Sequence, residues 1–88
     1  MYLYLGENTV IRTRSVIGIF DIDNTTISRI TRDYLASAQK NGRIIEVSAE
    51  LPKSYVVCSN TSGEVFVYLS QISPATLLKR ADQEGRSI

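Results

Sequence analysis

The chain has 88 residues, a formal net charge of +1 with no His, and 43% hydrophobic residues. This length predicts one small domain, which buries only roughly 60–65% of the surface that its unfolded chain exposes. The single cysteine, Cys58, excludes a disulfide framework, and a structural zinc site is excluded because no His and Cys cluster exists. Self-association is therefore the expected additional source of stability.

Charge and hydropathy indicate where the protein acts. A near-neutral net charge does not by itself indicate a nucleic-acid binder, and it leaves open a local basic face that is repeated by symmetry in an oligomer. The unpaired cysteine favours a reducing compartment, and the sequence has no secretory leader and no apolar run near about 18 residues. We expect a cytoplasmic protein that does not associate with membranes.

The first part of the chain predicts three strands. Tyr2–Leu5 and Thr9–Thr13 flank the turn at 6–8 and form an opening hairpin. Val16–Phe20 predicts a short buried strand, and Gly18 inside it indicates a bulge or a close backbone approach.

Residues 24–41 predict the main helix. Asn24 or Thr25 supplies the N-cap oxygen, and Gly42 stands where a left-handed residue ends a helix. One stripe of this helix is apolar: Ile27, Ile30, Tyr34 and Ala38. The opposite face is charged: Arg29, Asp33 and Lys40. We expect Asp33 to offset part of the charge of Arg29.

The second part predicts further strands. Arg43–Val47 is a strand, and 51–53 is a linker with a proline corner. Tyr55–Cys58 and Val65–Leu69 surround the polar loop 60–63, which predicts a second hairpin.

A short C-terminal helix completes the predicted fold. Ser73 is its N-cap, Pro74 its first residue and Gly85 its stop. The predicted fold class is α+β, with a small antiparallel, β-rich sheet, a central amphipathic helix and this second helix. We assign 1–84 to a single domain and 85–88 to a frayed tail.

The stretch from Asp21 to Thr25 permits two interpretations. Its Asp-x-Asp-x-Thr pattern looks like the nucleophile motif of haloacid-dehalogenase phosphatases, in which Asp21 would attack phosphorus beside a metal cation and Asp23 would move the proton. Such an enzyme also needs a further acidic metal ligand and repeated β-α units. Since the residues after Thr26 contain a strong hairpin instead, we favour a strand, a polar turn and a helix cap, with a phosphatase fragment as the remote alternative.

No other catalytic set is present, so neither enzymatic activity nor a metal or cofactor is expected. Cys58 lies in an apolar strand and has no His as a base, which favours a core role. The tyrosines are assigned to core or subunit packing rather than base stacking: Tyr2, Tyr4, Tyr34, Tyr55 and Tyr68.

Several short sequence pieces follow one another in a defined order along the chain: Tyr4-Leu-Gly6, Thr13-Arg14 before Ile17-Gly-Ile-Phe20, Gly42-Arg-Ile-Ile-Glu46, Pro52-Lys-Ser54, and Tyr68-Leu-Ser70 before Lys79-Arg-Ala81. In this order and spacing, residues 1–81 resemble the small bacterial RemA/RemB-type extracellular matrix regulators, closer to the RemB branch. The resemblance implies a cytoplasmic DNA-binding regulator without enzymatic activity. It also implies rings of small subunits that use arginines to contact DNA and activate matrix and biofilm genes.

The resemblance also shows where this chain departs from the RemA branch. One DNA-contacting arginine of that branch falls on Ser15, beside Arg14. A basic cluster falls on Glu50-Leu-Pro-Lys53, where only Lys53 keeps a positive charge. An oligomeric protein-interaction module of the same fold, without DNA binding, is therefore the alternative.

The candidate DNA-binding residues are five cations: Arg14, Arg12, Lys53, Arg29 and Arg32. Arg12 and Arg14 lie two apart in a segment predicted to be extended, so both should point to one side. Lys53 follows a proline in a predicted loop. The expected partners are double-stranded DNA, through its phosphates, and further copies of the chain. No recognition helix of the helix-turn-helix kind is visible, so contacts to base edges are not expected.

Overall fold

The computed structural model describes residues 1–23 and 29–86, and within them the chain forms two sheets and two α-helices. The strands are β1 Tyr2–Gly6, β2 Thr9–Arg12, β3 Val16–Asp21, β4 Ile44–Glu46, β5 Ser54–Ser59 and β6 Val65–Ser70. The helices are α1 Arg29–Lys40 and α2 Pro74–Arg86. β1 and β2 form a hairpin by themselves, and the larger sheet has the order β3-β5-β6-β4. The predicted α+β class and both predicted hairpins are confirmed.

The larger sheet is antiparallel except at one edge. β5 pairs antiparallel with both β3 and β6, as predicted, whereas the short strand β4 runs parallel to β6. β4 ends with Glu46 opposite Leu69, and β5 begins with Ser54 opposite Ser70. Both positions lie at the same end of β6, so the loop between β4 and β5 only has to cross that end.

Helix α1 covers one face of the larger sheet. Its buried Ala38 packs with Tyr55, Val57 and Val67 of the sheet, and Tyr34 lies against the same cluster. This confirms the predicted apolar stripe of the helix at Tyr34 and Ala38. Four predicted features lie outside the described residues: the helix start at residue 24, the N-cap at Asn24 or Thr25, Ile27, and the side chain of Ile30. Gly42 has φ +68°, which confirms the predicted left-handed residue after the helix.

The β1–β2 hairpin and α2 cover the other face. Leu3, Leu5 and Ile11 of the hairpin pack with Val56 and with other apolar residues of β5 and α2: Cys58 and Leu77. Side chains alternate along β5 because successive residues of a strand point to opposite faces. One strand thus contributes to both cores, which explains why all of Tyr55 to Cys58 is buried.

Strand β3 is an edge strand and not the buried strand that its sequence predicts, since Ile17 is 44% exposed. The pairing with β5 is irregular between Val16 and Gly18, which confirms the predicted bulge. Gly18 also allows a close approach, because a Cβ atom there would lie 2.5 Å from the ring of Phe20. That ring stacks on Tyr55 with the centroids 5.5 Å apart.

Helix α2 begins as predicted and ends later than predicted. The Ser73 hydroxyl accepts a hydrogen bond from the Thr76 amide at 3.3 Å, and the helix begins at Pro74. It continues to Arg86, so Gly85 does not end it. A glycine inside a helix costs only about 1 kcal/mol relative to alanine, which the rest of a helix can offset. Within the described residues, neither α-helix is long and apolar enough to cross a membrane.

Ser70 connects the hairpin to the larger sheet, and its replacement should destabilise the fold. The fully buried hydroxyl donates to the Leu5 carbonyl at 2.8 Å and accepts from the Ile72 amide at 3.1 Å. Ser70→Ala leaves both backbone groups unpaired, so we expect the free energy of unfolding to fall by about 1–3 kcal/mol. Urea denaturation measures this, with Ser37→Ala on the exposed face of α1 as the matched control. Equal stability of the two variants would contradict the assignment.

Candidate nucleic-acid interface

The chain turns a corner between β2 and β3, and this corner positions two arginines. β2 and β3 belong to different sheets, so the backbone must change direction between them. Thr13–Ser15 forms a 3-10 turn, in which the Val16 amide donates to the Thr13 carbonyl. The predicted extended conformation is therefore wrong from Thr13 onwards. Arg12 closes β2, and Arg14 lies within the turn.

The corner faces the loop of the β5–β6 hairpin across an open cavity of about 410 Å³, which we call the arginine cleft. The cleft is lined by Arg12, Arg14, Ser15, Ser59, Asn60 and Thr61. Both arginines therefore line the same cavity, as expected. The reason is the 3-10 turn at Thr13–Ser15, and not the alternation of side chains along a strand. None of these lining residues is acidic. The cleft therefore presents guanidinium, hydroxyl and amide groups to solvent.

Neither the Arg12 nor the Arg14 side chain makes a hydrogen bond or ion pair with any part of the chain that the structure describes. Both side chains are exposed. Arg43 offers a contrast, because it pairs with Glu64 and lies over the ring of Phe66, 5.6 Å from its centroid. The charge of Arg43 is used within the fold, whereas the charges of Arg12 and Arg14 remain available to a partner.

The wall opposite the arginines is held in place by Asn60. Its side-chain oxygen accepts hydrogen bonds from the amides of Ser62 and Glu64, at 3.0 and 2.9 Å. Its side-chain nitrogen donates to the Glu64 carboxylate at 2.8 Å. Gly63, with φ +82°, permits the tight return of the chain. The loop therefore has a defined shape without any ligand.

The other three candidate cations do not line the cleft. Lys53 precedes β5, and its carbonyl accepts a hydrogen bond from the Ile22 amide at 3.2 Å. The six residues of β5, at ~3.3 Å each, place this end about 20 Å from Ser59. Arg29 and Arg32 are exposed on α1, and Asp33 makes no ion pair with Arg29 in this structure. The structure therefore brings together two of the five predicted cations.

Residues 50–53, onto which the sequence resemblance places a basic cluster, form a different surface in this structure. Glu50 and Leu51 line a groove of about 200 Å³ together with Glu46 and Leu69. Its two carboxylates oppose phosphate binding. Leu51 is 89% exposed and adds an apolar side chain to this acidic groove.

Asp21 and Asp23 form a local turn. The Asp21 side chain accepts a hydrogen bond from the Asp23 amide at 2.9 Å. Among the described residues, no group of three or more acidic, His or Cys side chains could hold a metal ion. The favoured strand and turn are therefore confirmed for residues 16–23, while the proposed cap lies outside the described residues.

Cys58 is a core residue, as predicted. It is 5% exposed, and burial raises the pKa of its thiol from the ordinary 9.0 to about 12. At neutral pH the thiol is therefore protonated and a poor nucleophile.

The raised pKa predicts a loss of stability in alkali. Between about pH 9 and 12 the unfolded state releases the thiol proton and the folded state retains it. The free energy of unfolding should therefore be unaffected by this group below pH 9 and should fall as the pH rises through that window. Burial also raises the pKa values of Tyr55 and Tyr68. Denaturation of wild type and Cys58→Ala isolates the thiol, and parallel pH profiles of the two would contradict the burial argument.

The exposed tyrosines lie on the outer side of the β1–β2 hairpin. Tyr2 is opposite Arg12 and Tyr4 is opposite Val10, and both tyrosines are about half exposed. Arg80 of α2 lies over the ring of Tyr4, 5.8 Å from its centroid. Tyr55 is buried, and the half-buried Tyr34 and Tyr68 pack against the two cores, which confirms core packing for these three. Tyr2 and Tyr4 remain available for contacts.

Three residues of the cleft, at the end of β5 and in the following loop, were not predicted as site residues: Ser59, Asn60 and Thr61. Their sequence shows only turn chemistry. Their position beside Arg14 depends on the pairing of Val16 with Cys58, which joins distant parts of the chain.

The fold and the cleft define a small, two-sheet α+β protein with an unpaired cationic surface. A family model described as RemA-like, Extracellular matrix regulatory protein A-like, matches residues 2–81, so the chain belongs to the RemA-like family. It is similar to Extracellular matrix regulatory protein B of Bacillus subtilis (strain 168), with 37% identity over 81 residues that cover 92% of this chain and 90% of that protein. The predicted family is confirmed. The relative is named as a regulatory protein, which agrees with the expectation that this chain is not an enzyme.

Proposed function

We propose that this protein is a cytoplasmic DNA-binding regulator of extracellular matrix and biofilm genes, and that it contacts DNA phosphates through Arg12 and Arg14. The observation that carries the proposal is the arginine cleft: two exposed arginines, whose side chains have no partner among residues that the structure describes, share one surface whose lining has no carboxylate. The membership of the RemA-like family supports the regulatory role.

The chemistry of the cleft suits a phosphodiester. Arginine, serine, threonine and asparagine groups are typical phosphate ligands in protein–DNA complexes. Ser15, where the RemA branch has a DNA-contacting arginine, lines the same cleft as Arg14. A shift of one residue along the turn therefore retains a cation at this surface.

Two cations per subunit give weak binding, so the proposal requires several copies acting together. Each neutralised phosphate releases counterions, and contacts from linked subunits act at a high effective concentration. A homo-oligomer, such as a closed ring of subunits, provides this arrangement.

Two separate apolar surfaces are available for self-association. The first is the outer side of the hairpin, with Tyr2, Tyr4 and Val10 exposed. The second is the β4 edge, with exposed Ile44 and exposed apolar neighbours: Ile45 and Leu51. A contact between different surfaces of successive copies is head-to-tail, and such contacts close into rings where the rotation permits.

A mobility-shift titration of duplex DNA across salt concentrations tests the proposed function. We expect binding at low salt that weakens steeply as salt increases, because phosphate contacts dominate the affinity. The absence of binding at low salt would contradict DNA binding.

The absence of binding would instead favour the second candidate, an oligomeric protein-interaction module of the same fold. The observation behind this candidate is the groove around Leu51, which is lined by apolar and acidic side chains and not by basic ones.

A further inference from the structure

The arginine cleft continues into a second cavity of about 250 Å³, which we call the inner recess. The two cavities share four lining residues: Arg12, Ser15, Ser59 and Asn60. The remaining walls of the inner recess are mostly apolar: Val10, Ile11, Cys58, Phe66 and Tyr68. A cationic mouth therefore leads into a recess lined by aliphatic, aromatic and thiol groups.

Two polar side chains of the inner recess, Arg12 and Tyr68, are available to a ligand, whereas the Asn60 side chain is already hydrogen-bonded within its loop. Among the described residues, the Tyr68 hydroxyl has no hydrogen-bond partner. Burial raises its pKa, so the hydroxyl remains a donor at neutral pH. Arg12 stands where the recess meets the cleft, and its guanidinium is also unpartnered in the part of the chain that is described. This pattern of apolar walls with a few polar groups is typical of small-molecule sites.

The walls of this site are formed in advance. Cys58 pairs with Phe66 across β5 and β6, and Asn60 fixes the loop that joins these strands. A ligand would therefore not have to order the loop, which lowers the entropic cost of binding.

We propose that the arginine cleft and the inner recess together bind a small organic acid, with its anionic group on Arg12 and Arg14 and its apolar body against Phe66 and Tyr68. This binding does not depend on DNA binding, but it uses the same arginines. A bound acid would therefore compete with DNA phosphates, which would make the regulator responsive to a metabolite of this chemical class.

Binding of 2-naphthoate to the full chain, without DNA, tests the inference. Titration followed by ¹H–¹⁵N NMR should shift the amides of Cys58, Ser59 and Phe66 more than those of α1. The uncharged analogue 2-naphthalenemethanol and inorganic phosphate should each bind at least tenfold more weakly, because each lacks one of the two required groups.

Arg12→Ala should weaken 2-naphthoate binding at least tenfold, because Arg12 lines both cavities. Lys79→Ala is the matched control, since it removes one exposed charge on α2 and leaves the site intact. Equal affinity of the two variants, equal affinity for the uncharged analogue, or shifts spread evenly over the protein would overturn the inference. Because this titration contains no DNA, such a result would not contradict the proposed DNA binding, which the mobility-shift titration tests separately.

Discussion

Replacing Arg12 and Arg14 together by alanine is expected to reduce duplex DNA affinity at least about 100-fold at low salt. Each charge-assisted hydrogen bond contributes roughly 1.5–3 kcal/mol, and ~1.4 kcal/mol corresponds to a factor of ten. Both side chains are exposed and have no partner among the described residues, so their removal breaks no internal contact. The fold and the assembly size should therefore stay unchanged. Fluorescence anisotropy with a labelled duplex measures the affinity.

Lys79→Ala and Lys53→Ala provide two comparisons for this experiment. Lys79 lies on the exposed side of α2 and tests the general effect of removing one positive charge. Lys53 lies at the far end of β5 and tests whether the sequence-based candidate outside the cleft also contacts DNA. Full affinity of the arginine double variant would show that the cleft does not bind phosphate. A loss as large for Lys79→Ala would show only a general charge effect.

Leu51→Glu is expected to convert the proposed homo-oligomer into monomers. Leu51 is 89% exposed and lies beside the exposed edge strand β4. A charged group buried at a subunit contact is costly, because the interface would have to desolvate it. Glu46 and Glu50 line the same groove, so the new carboxylate would add like-charge repulsion. Light scattering should then report the 9.8 kDa of one chain in place of a multiple of it.

Leu78→Glu on α2 is the matched control, because Leu78 is also exposed and lies outside both proposed contact surfaces. Its mass should equal that of the wild type. If Leu51→Glu keeps the wild-type mass, the β4 edge is not a subunit contact. If Leu51→Glu becomes monomeric, its DNA affinity should fall with its mass, because the multivalent contribution is lost.

The sequence predicted those elements whose signals are local. The β5–β6 hairpin was predicted because two apolar runs surround a polar loop that ends in Gly63. Helix α1 was predicted from the spacing of Tyr34 and Ala38, and the start of α2 from Ser73. These signals act within a few residues, and the structure confirms them.

The corner at Thr13–Ser15 could not be predicted in the same way. The segment has no glycine or proline, and it turns only because β2 and β3 belong to different sheets. The parallel pairing of β4 also depends on distant parts of the chain.

Arg12 and Arg14 were predicted as candidates from their charge and from the family resemblance. Their meeting with Ser59, Asn60 and Thr61 depends on the register between β3 and β5, for which the sequence has no local signal. Lys53 lies before β5 in a loop, as predicted, but the length of β5 separates it from the arginine cleft.

The most direct test of phosphate contact by the arginine cleft is the slope of log affinity against log salt, measured for wild type and for the Arg12→Ala, Arg14→Ala double variant. Each lost phosphate contact should flatten the slope by about 0.9. We predict that the magnitude of the slope decreases by about 1.8 for every subunit that contacts the duplex, because each subunit loses two phosphate contacts. An unchanged slope in the double variant would contradict the central claim.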